Sequence, residues 1–268
     1  MTGEKSDVAD WWRTSIIDME PGRIEFRGQP IESLIGTLTF PQMIWFMTTG
    51  ETLEPGRASL LDAALVAAVD HGPQAPSIAI ARMATTCGVG INNAMASALN
   101  VLGDVHGGAG EQAVGLYQTI AEMEKAGTPL AAAVKTTLET WRAENGKYIP
   151  GFGHRFHKPT DPRAPRLLDL VNEAASNGDV SGKFSAIGRQ IETTLSAEKG
   201  KSVPMNIDGA TAVIFAELGC PAPLARGLFC LSRSVGILAH AWEQTQQGGR
   251  NKGPTPPHYR WTYEGEGS

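Results

Sequence analysis

The sequence predicts an all-α, multi-helical protein with at most one small β-hairpin near its N-terminus. Three observations carry that prediction. Apolar residues recur at helical spacing in one segment after another, and most of those segments are closed by Gly, Pro or Asn. The sequence contains no strand–helix alternation, no internal repeat and no GxGxxG following a strand.

Taken in order, "GRIEFRG" alternates enough for a short strand or hairpin, and "TFPQMIWFMTTGE" has a helical apolar pattern stopped by Gly50. Residues 57–70 read as an Ala-rich amphipathic helix broken by "HGPQAP", after which "SIAIARMATTCG" begins another. "INNAMASALNVLG" is rich in small side chains and is expected as a buried helix. "EQAVGLYQTIAEMEKAG" follows with apolar positions 114, 116, 117, 120 and 123 and Gly127 as its stop. The next helix starts at Pro129 and ends at Gly146. Further helices are expected at about 164–176, 182–198, 209–218 and 222–247. Residues 1–250 read as a single catalytic domain. Residues 251–268, rich in Gly and Pro, read as an irregular tail, either disordered or laid across a neighbouring subunit.

Composition narrows the function classes. The chain has 268 residues, 41% hydrophobic and 19% charged, enough for a substantial core. A net charge of −5 with no long basic stripe argues against a nucleic-acid partner. The polar start predicts no secretory signal, and no apolar run reaches the ~20 residues that cross a bilayer. Three cysteines, Cys87, Cys220 and Cys230, lack metal-ligand spacing and suggest a reducing compartment, so a cytoplasmic protein is expected. No cluster has the spacing of a metal site.

Three stretches place polar residues among small, tightly packing ones: His106 in "DVHGGAGE", His154 in "GFGHRFHKPTDPR" and Asp208 in "NIDGATA". Each alone has a plain structural reading, a turn or cap residue before Gly. Together with Arg233 in "SRSVGILAHAWEQ" and an opening "RGxPIxxL" segment, they stand in the order and local contexts of the citrate synthase superfamily, which residues 13–250 resemble. The segment before "HGG" is short, "DHGPQAPSIAIAR" differs from the synthase version, and "QQGGRNKGPTPP" replaces the usual Arg-Pro ending. In these respects the chain looks most like stand-alone citryl-CoA lyases and the C-terminal module of ATP-citrate lyase.

The resemblance implies a shortened citrate synthase-like fold and a reaction at the bond between the acetyl-CoA α-carbon and the oxaloacetate ketone carbon. By resemblance His106 holds the thioester oxygen, Asp208 handles the methyl proton and His154 the oxygen that alternates between ketone and alcohol. Dicarboxylate contacts would come from His71, Arg163, Arg233 and Arg250, the last in its own or an adjacent subunit. A planar bidentate cation suits carboxylates, whereas an ion pair with Asp161 is the plain alternative for Arg163. Coenzyme A would meet Gly151, Gly153, Lys158, Lys199 and Lys201. CoA enters as part of the substrate, with no permanently bound cofactor, and a homodimer or larger homo-oligomer is implied. Citryl-CoA lyase, or a close short relative cleaving a similar 3-hydroxy-acyl-CoA, is the leading expectation. Citrate synthase and a non-catalytic CoA-ester or dicarboxylate sensor are the alternatives. His240 and Glu243 read as a packed histidine and an exposed acid.

Overall fold

A computed structural model describes residues 10–154 and 159–265. Among the described residues the chain forms eleven helices and one three-stranded antiparallel sheet, so the all-α expectation holds. The sheet, β1 (Ile17–Glu20), β2 (Arg23–Phe26) and β3 (Gln29–Pro30), is one strand larger than the expected hairpin. The third strand is two residues long and turns directly into α1 (Ile31–Leu34). The chain divides into two compact units, Met1–Asp62 and Ala63–Ser268.

The first unit also holds α2 (Phe40–Thr49). Thr39 and Gln42 form a reciprocal capping box at its start, and Gly50 closes it in the left-handed conformation that favours glycine. The boundary between the units falls within α3 (Pro55–Ala67).

In the second unit, α4 (Pro76–Thr86), α5 (Ile91–Leu99) and the long α11 (Ala222–Gln246) meet in a core of small side chains. Ala75, Ala81, Ala94, Ala98 and Ala241 surround Ile78 and Ile237. Alanine lets helix axes approach closely, so this layer is thin and rigid. The segment 91–99 is buried on one face only, at Ala94 and Ala98, and its other positions reach solvent. The helix around it is thus half-buried where a buried one was expected.

The centre is α10 (Ile207–Glu217), buried at nine of the ten positions 207–216, all but Asp208, and packed on α6 (Ala109–Lys125), α8 (Arg163–Asn177) and α9 (Lys183–Lys199). Helix α7 (Leu130–Asn145) covers α6 and α9. Among the described residues α11 is long and apolar enough to cross a bilayer by length and composition, which corrects the sequence expectation of no such run. It carries a buried arginine, Arg233, and packs on α4, α5 and α6, the pattern of a core helix. The tail after α11 is anchored where Asn251 and Lys252 donate backbone N–H groups to the carbonyl and hydroxyl of Thr86 at the end of α4.

Candidate functional site

A cavity of about 770 Å³ in the second unit is lined by residues of the 70–76 turn, by His106, by Gly153 and His154, and by Pro162 and Arg163. His71, His106, His154, Gly153 and Arg163, all expected site residues, share it.

His106 sits in a tight loop closed by Gly103 donating to the His106 carbonyl, at 2.9 Å. The two following glycines are required by packing. A side chain at Gly107, whose φ is +101°, would meet Phe229 and Leu102, and one at Gly108 would overlap the Asp104 backbone. The imidazole faces the N-terminus of α4. There the backbone N–H of Ser77 donates to Nε2 at 3.2 Å, and the Ser77 hydroxyl lies 3.0 Å from the same atom. A backbone amide can only donate, so Nε2 is an acceptor and the ring proton of neutral His106 is on Nδ1. Burial, and secondarily the charge of Arg233, push the His106 pKa down. The positive end of α4 acts in the same direction. Among the described residues Nδ1 has no hydrogen-bond partner, which makes His106 a neutral donor on the cavity wall.

His154 is placed by a short stitched segment. Gly153 donates to the Pro204 carbonyl at 2.7 Å, Asn206 donates from its backbone to the Gly151 carbonyl at 3.0 Å, and the Asn206 side chain donates to the Gly153 carbonyl at 2.7 Å. Asn206 is also the N-cap of α10, accepting from the amides of Asp208 and Gly209. One asparagine therefore ties the His154 loop to the helix that carries Asp208. The plain reading of Asp208 as the helix cap is corrected: the cap is Asn206, and Asp208 lies in the first turn. Gly151 has a structural task as well. It is buried with its α-carbon against Gly209, where a side chain on either would overlap the other's backbone, and it lines none of the cavities described.

Asp208 feels opposing forces. Burial dominates and raises its pKa, helped by the negative Asp161, while Arg233 and Arg163 pull it down. Arg233 is itself buried, donates from Nε to the Ala68 carbonyl at 3.1 Å and lies over the Phe229 ring at 4.9 Å. Burial lowers its pKa, and Asp208 and Asp70 offset part of that. Neither Nη atom has a hydrogen-bond partner among the described residues, so the guanidinium keeps donors for an anion.

Arg163 makes the ion pair with Asp161 named above as its plain alternative, but that pair is internal and not on the surface. Asp161 is fully buried and accepts from Arg163 Nε at 3.0 Å, Nη2 at 2.9 Å and the backbone at 3.1 Å, and from the Ile207 amide at 3.1 Å. Burial works to raise the Asp161 pKa. The bonds from Arg163 and Ile207 outweigh it and hold the carboxyl below its usual range. Arg163 is thus clamped in one orientation at the cavity edge.

The remaining expected residues lie apart. Lys199 and Lys201 line a second cavity of about 320 Å³ with Pro159 and Ser202, and it shares Gly153 and His154 with the first. Arg250 is exposed at the start of the tail and lines neither cavity. Lys158 lies outside the described residues. Among the described residues no three His, Cys, Asp or Glu side chains converge as a metal site would need. Of the cysteines, Cys220 is buried with its thiol pushed up to about 12 by burial, and Cys87 is exposed.

Sequence reasoning missed Ser77, Asn206 and Asp70, and it named Asp161 only as a surface partner of Arg163. Two carried a signal: Ser77 follows Pro76 at a helix start, and Asn206 stands where an N-cap belongs in "NIDG".

Residues 47–254 match the family described as "Citrate synthase, C-terminal domain". A citrate synthase from Deinococcus radiodurans is 30% identical over 222 residues, covering 82% of this chain and 56% of that protein. The chain spans about half the length of the curated relatives it matches. A citryl-CoA lyase structure from Hydrogenobacter thermophilus superimposes with a TM-score of 0.81 at 29% identity, covering 95% of both chains. An ATP citrate lyase from Methanothrix soehngenii, solved with citrate and coenzyme A, shares the fold at 20% identity and a TM-score of 0.79, over 99% of this chain and 45% of that one. With the histidine-lined cavity, the buried arginine and the capped α10 laid out as above, the chain belongs to the citrate synthase family through its C-terminal domain.

Proposed function

We propose that the chain is a citryl-CoA lyase, cleaving citryl-CoA to acetyl-CoA and oxaloacetate through an enol or enolate. The observation that carries the reading is the tautomer of His106: a neutral imidazole with Nδ1–H on the cavity wall, held by the α4 N-terminus. A donor fixed in place before reaction stabilises oxygen charge at no reorganisation cost and is worth ~10²–10³ in rate. In the cleavage direction His154 takes the proton of the tertiary hydroxyl. The carbon–carbon pair then moves onto the thioester unit, whose oxygen receives the His106 hydrogen bond. Asp208, whose pKa burial raises, delivers a proton to the resulting methylene carbon. The tertiary hydroxyl carbon becomes the oxaloacetate ketone, and the two proton-transfer groups reset through solvent. Arg163 and Arg233 offer guanidinium donors to the carboxylates, with His71 beside His154, ring centroids 5.7 Å apart. Lys199 and Lys201 in the adjoining cavity suit the phosphates of CoA.

The likeness to the Hydrogenobacter citryl-CoA lyase, with a TM-score of 0.81 at 29% identity, supports a lyase over a synthase. Citrate synthase is the second reading, favoured by the names of those sequence relatives. Incubation of pure protein with citryl-CoA, malate dehydrogenase and NADH tests the first: NADH consumption above the enzyme-free control is expected, and none refutes it. Steady thiol release from acetyl-CoA plus oxaloacetate would instead identify a synthase. The resemblance leads us to propose a homo-oligomer as well, and the three free cysteines a cytoplasmic location.

A further inference from the structure

We infer that His240, set apart from the reaction by sequence reasoning, is a positioning residue that holds the His71 side of the cavity through Asp70. The inference rests on the dicarboxylate reading of that cavity.

His240 is the middle of a relay that links three elements. On α4, Arg82 donates from Nη2 to Gln247 Oε1 at 2.8 Å and from Nη1 to Glu243 Oε2 at 2.6 Å, both on α11 or its end. The same Nη1 lies 3.1 Å from His240 Nδ1. A guanidinium has no acceptor, so Nδ1 must accept and the His240 proton of the neutral ring stands on Nε2. That atom faces Asp70 Oδ1 at 3.3 Å. Apart from His240, this buried oxygen meets no donor among the described residues. A buried carboxylate oxygen left without any donor is costly, so the contact constrains where Asp70 can sit.

Asp70 in turn fixes the turn behind it. Its Oδ2 accepts from the Gly72 amide at 3.0 Å. This is the local side-chain-to-backbone closure that sets a turn. Helix α11 presses directly on the turn's other end, where the Gly236 amide donates to the Val69 carbonyl at 3.1 Å. Any side chain on Gly236 would overlap that carbonyl. Asp70, His71 and Gly72 all line the cavity, and the His71 ring stands edge-on to His154. The relay therefore locks three elements to one another: α4, whose first turn holds His106; α11, which carries Arg233 outside the cavity lining; and the 70–72 turn, which carries His71 into it.

The test is calorimetric titration of the full chain with oxaloacetate and, separately, with coenzyme A. His240→Leu removes both hydrogen-bonding atoms at similar volume. Losing one hydrogen bond to a charged ligand group corresponds to a factor of about 10 to 100 in affinity, so oxaloacetate Kd is expected to rise about 10- to 100-fold. Coenzyme A Kd should stay within about 2-fold, because the lysines that face it lie outside the relay. His240→Gln supplies one acceptor for Arg82 and one donor for Asp70, and should recover most of the oxaloacetate affinity. A general loss of structure would weaken both ligands and would not be rescued. Should His240→Leu fail to fold, Arg82→Gln removes the group that sets the tautomer and is expected to act in the same direction. Unchanged oxaloacetate affinity in the variants beside a wild type that binds it overturns the relay. A wild type that binds neither ligand overturns the proposed function instead.

Discussion

Asp161→Asn is the sharpest perturbation of the site's scaffold. The carboxylate is fully buried and receives four donors, three from Arg163 and one from the Ile207 amide at the start of α10. An amide of the same shape keeps one oxygen but turns an NH₂ toward two of those donors. Breaking a buried charge pair costs ~3–5 kcal/mol. The Arg163 side chain is 24% exposed and is partly rescued by water, which favours the lower end. With a urea m-value of ~1–3 kcal/mol/M, a loss of about 3 kcal/mol lowers the midpoint by roughly 1 M or more. The pH dependence carries the sign. The Asp161 pKa is depressed on folding, so its contribution is full above the unfolded value of ~3.9 and is lost as pH falls through the folded one. Urea unfolding followed by far-ultraviolet circular dichroism should show a large gap between wild type and variant at about pH 7, shrinking steadily below about pH 4. A gap under about 1 kcal/mol at neutral pH, or one that persists undiminished in acid, would refute the reasoning.

Other consequences can be checked directly. His106→Ala should lower kcat for citryl-CoA cleavage by roughly 10²–10³ with the circular dichroism spectrum unchanged, and a loss below about 10-fold would mean the imidazole only closes its loop. Asp208→Asn should stop exchange of acetyl-CoA methyl protons into deuterated water, followed by NMR; continued exchange at the wild-type rate would assign that proton elsewhere. Gly209→Ala should be destabilised by ~1–3 kcal/mol despite the better helix propensity of alanine. Its side chain would meet the Gly151 carbonyl and Met205, and a melting temperature equal to wild type would show that the two backbones can part without cost.

Much of the fold was legible in the sequence because it is written locally. Helix stops at Gly50, Gly127, Gly146 and Gly178 fall where the chain turns left-handed or leaves the helix, and the spacing of 114, 116, 117 and 120 marks the buried face of α6. The third strand was not legible, since Gln29 and Pro30 have no alternation to read and form a strand only through pairing with β2. The aliphatic character of α11 was also misjudged. Arg226, Arg233 and His240 interrupt its apolar run in the eye, yet average out over its 25 residues.

By itself the sequence determined the helix count to within the shortest elements, and it marked His71, His106, His154, Arg163, Asp208 and Arg233 as residues worth watching. Only the tertiary structure decided what state each is in. The His106 tautomer depends on Ser77, 29 residues earlier; the orientation of Arg163 depends on the burial of Asp161; and Asp208 owes its raised pKa to the core that closes over α10. Hydrogen-bond direction and desolvation are properties of neighbours in space, and spacing along a chain does not encode them.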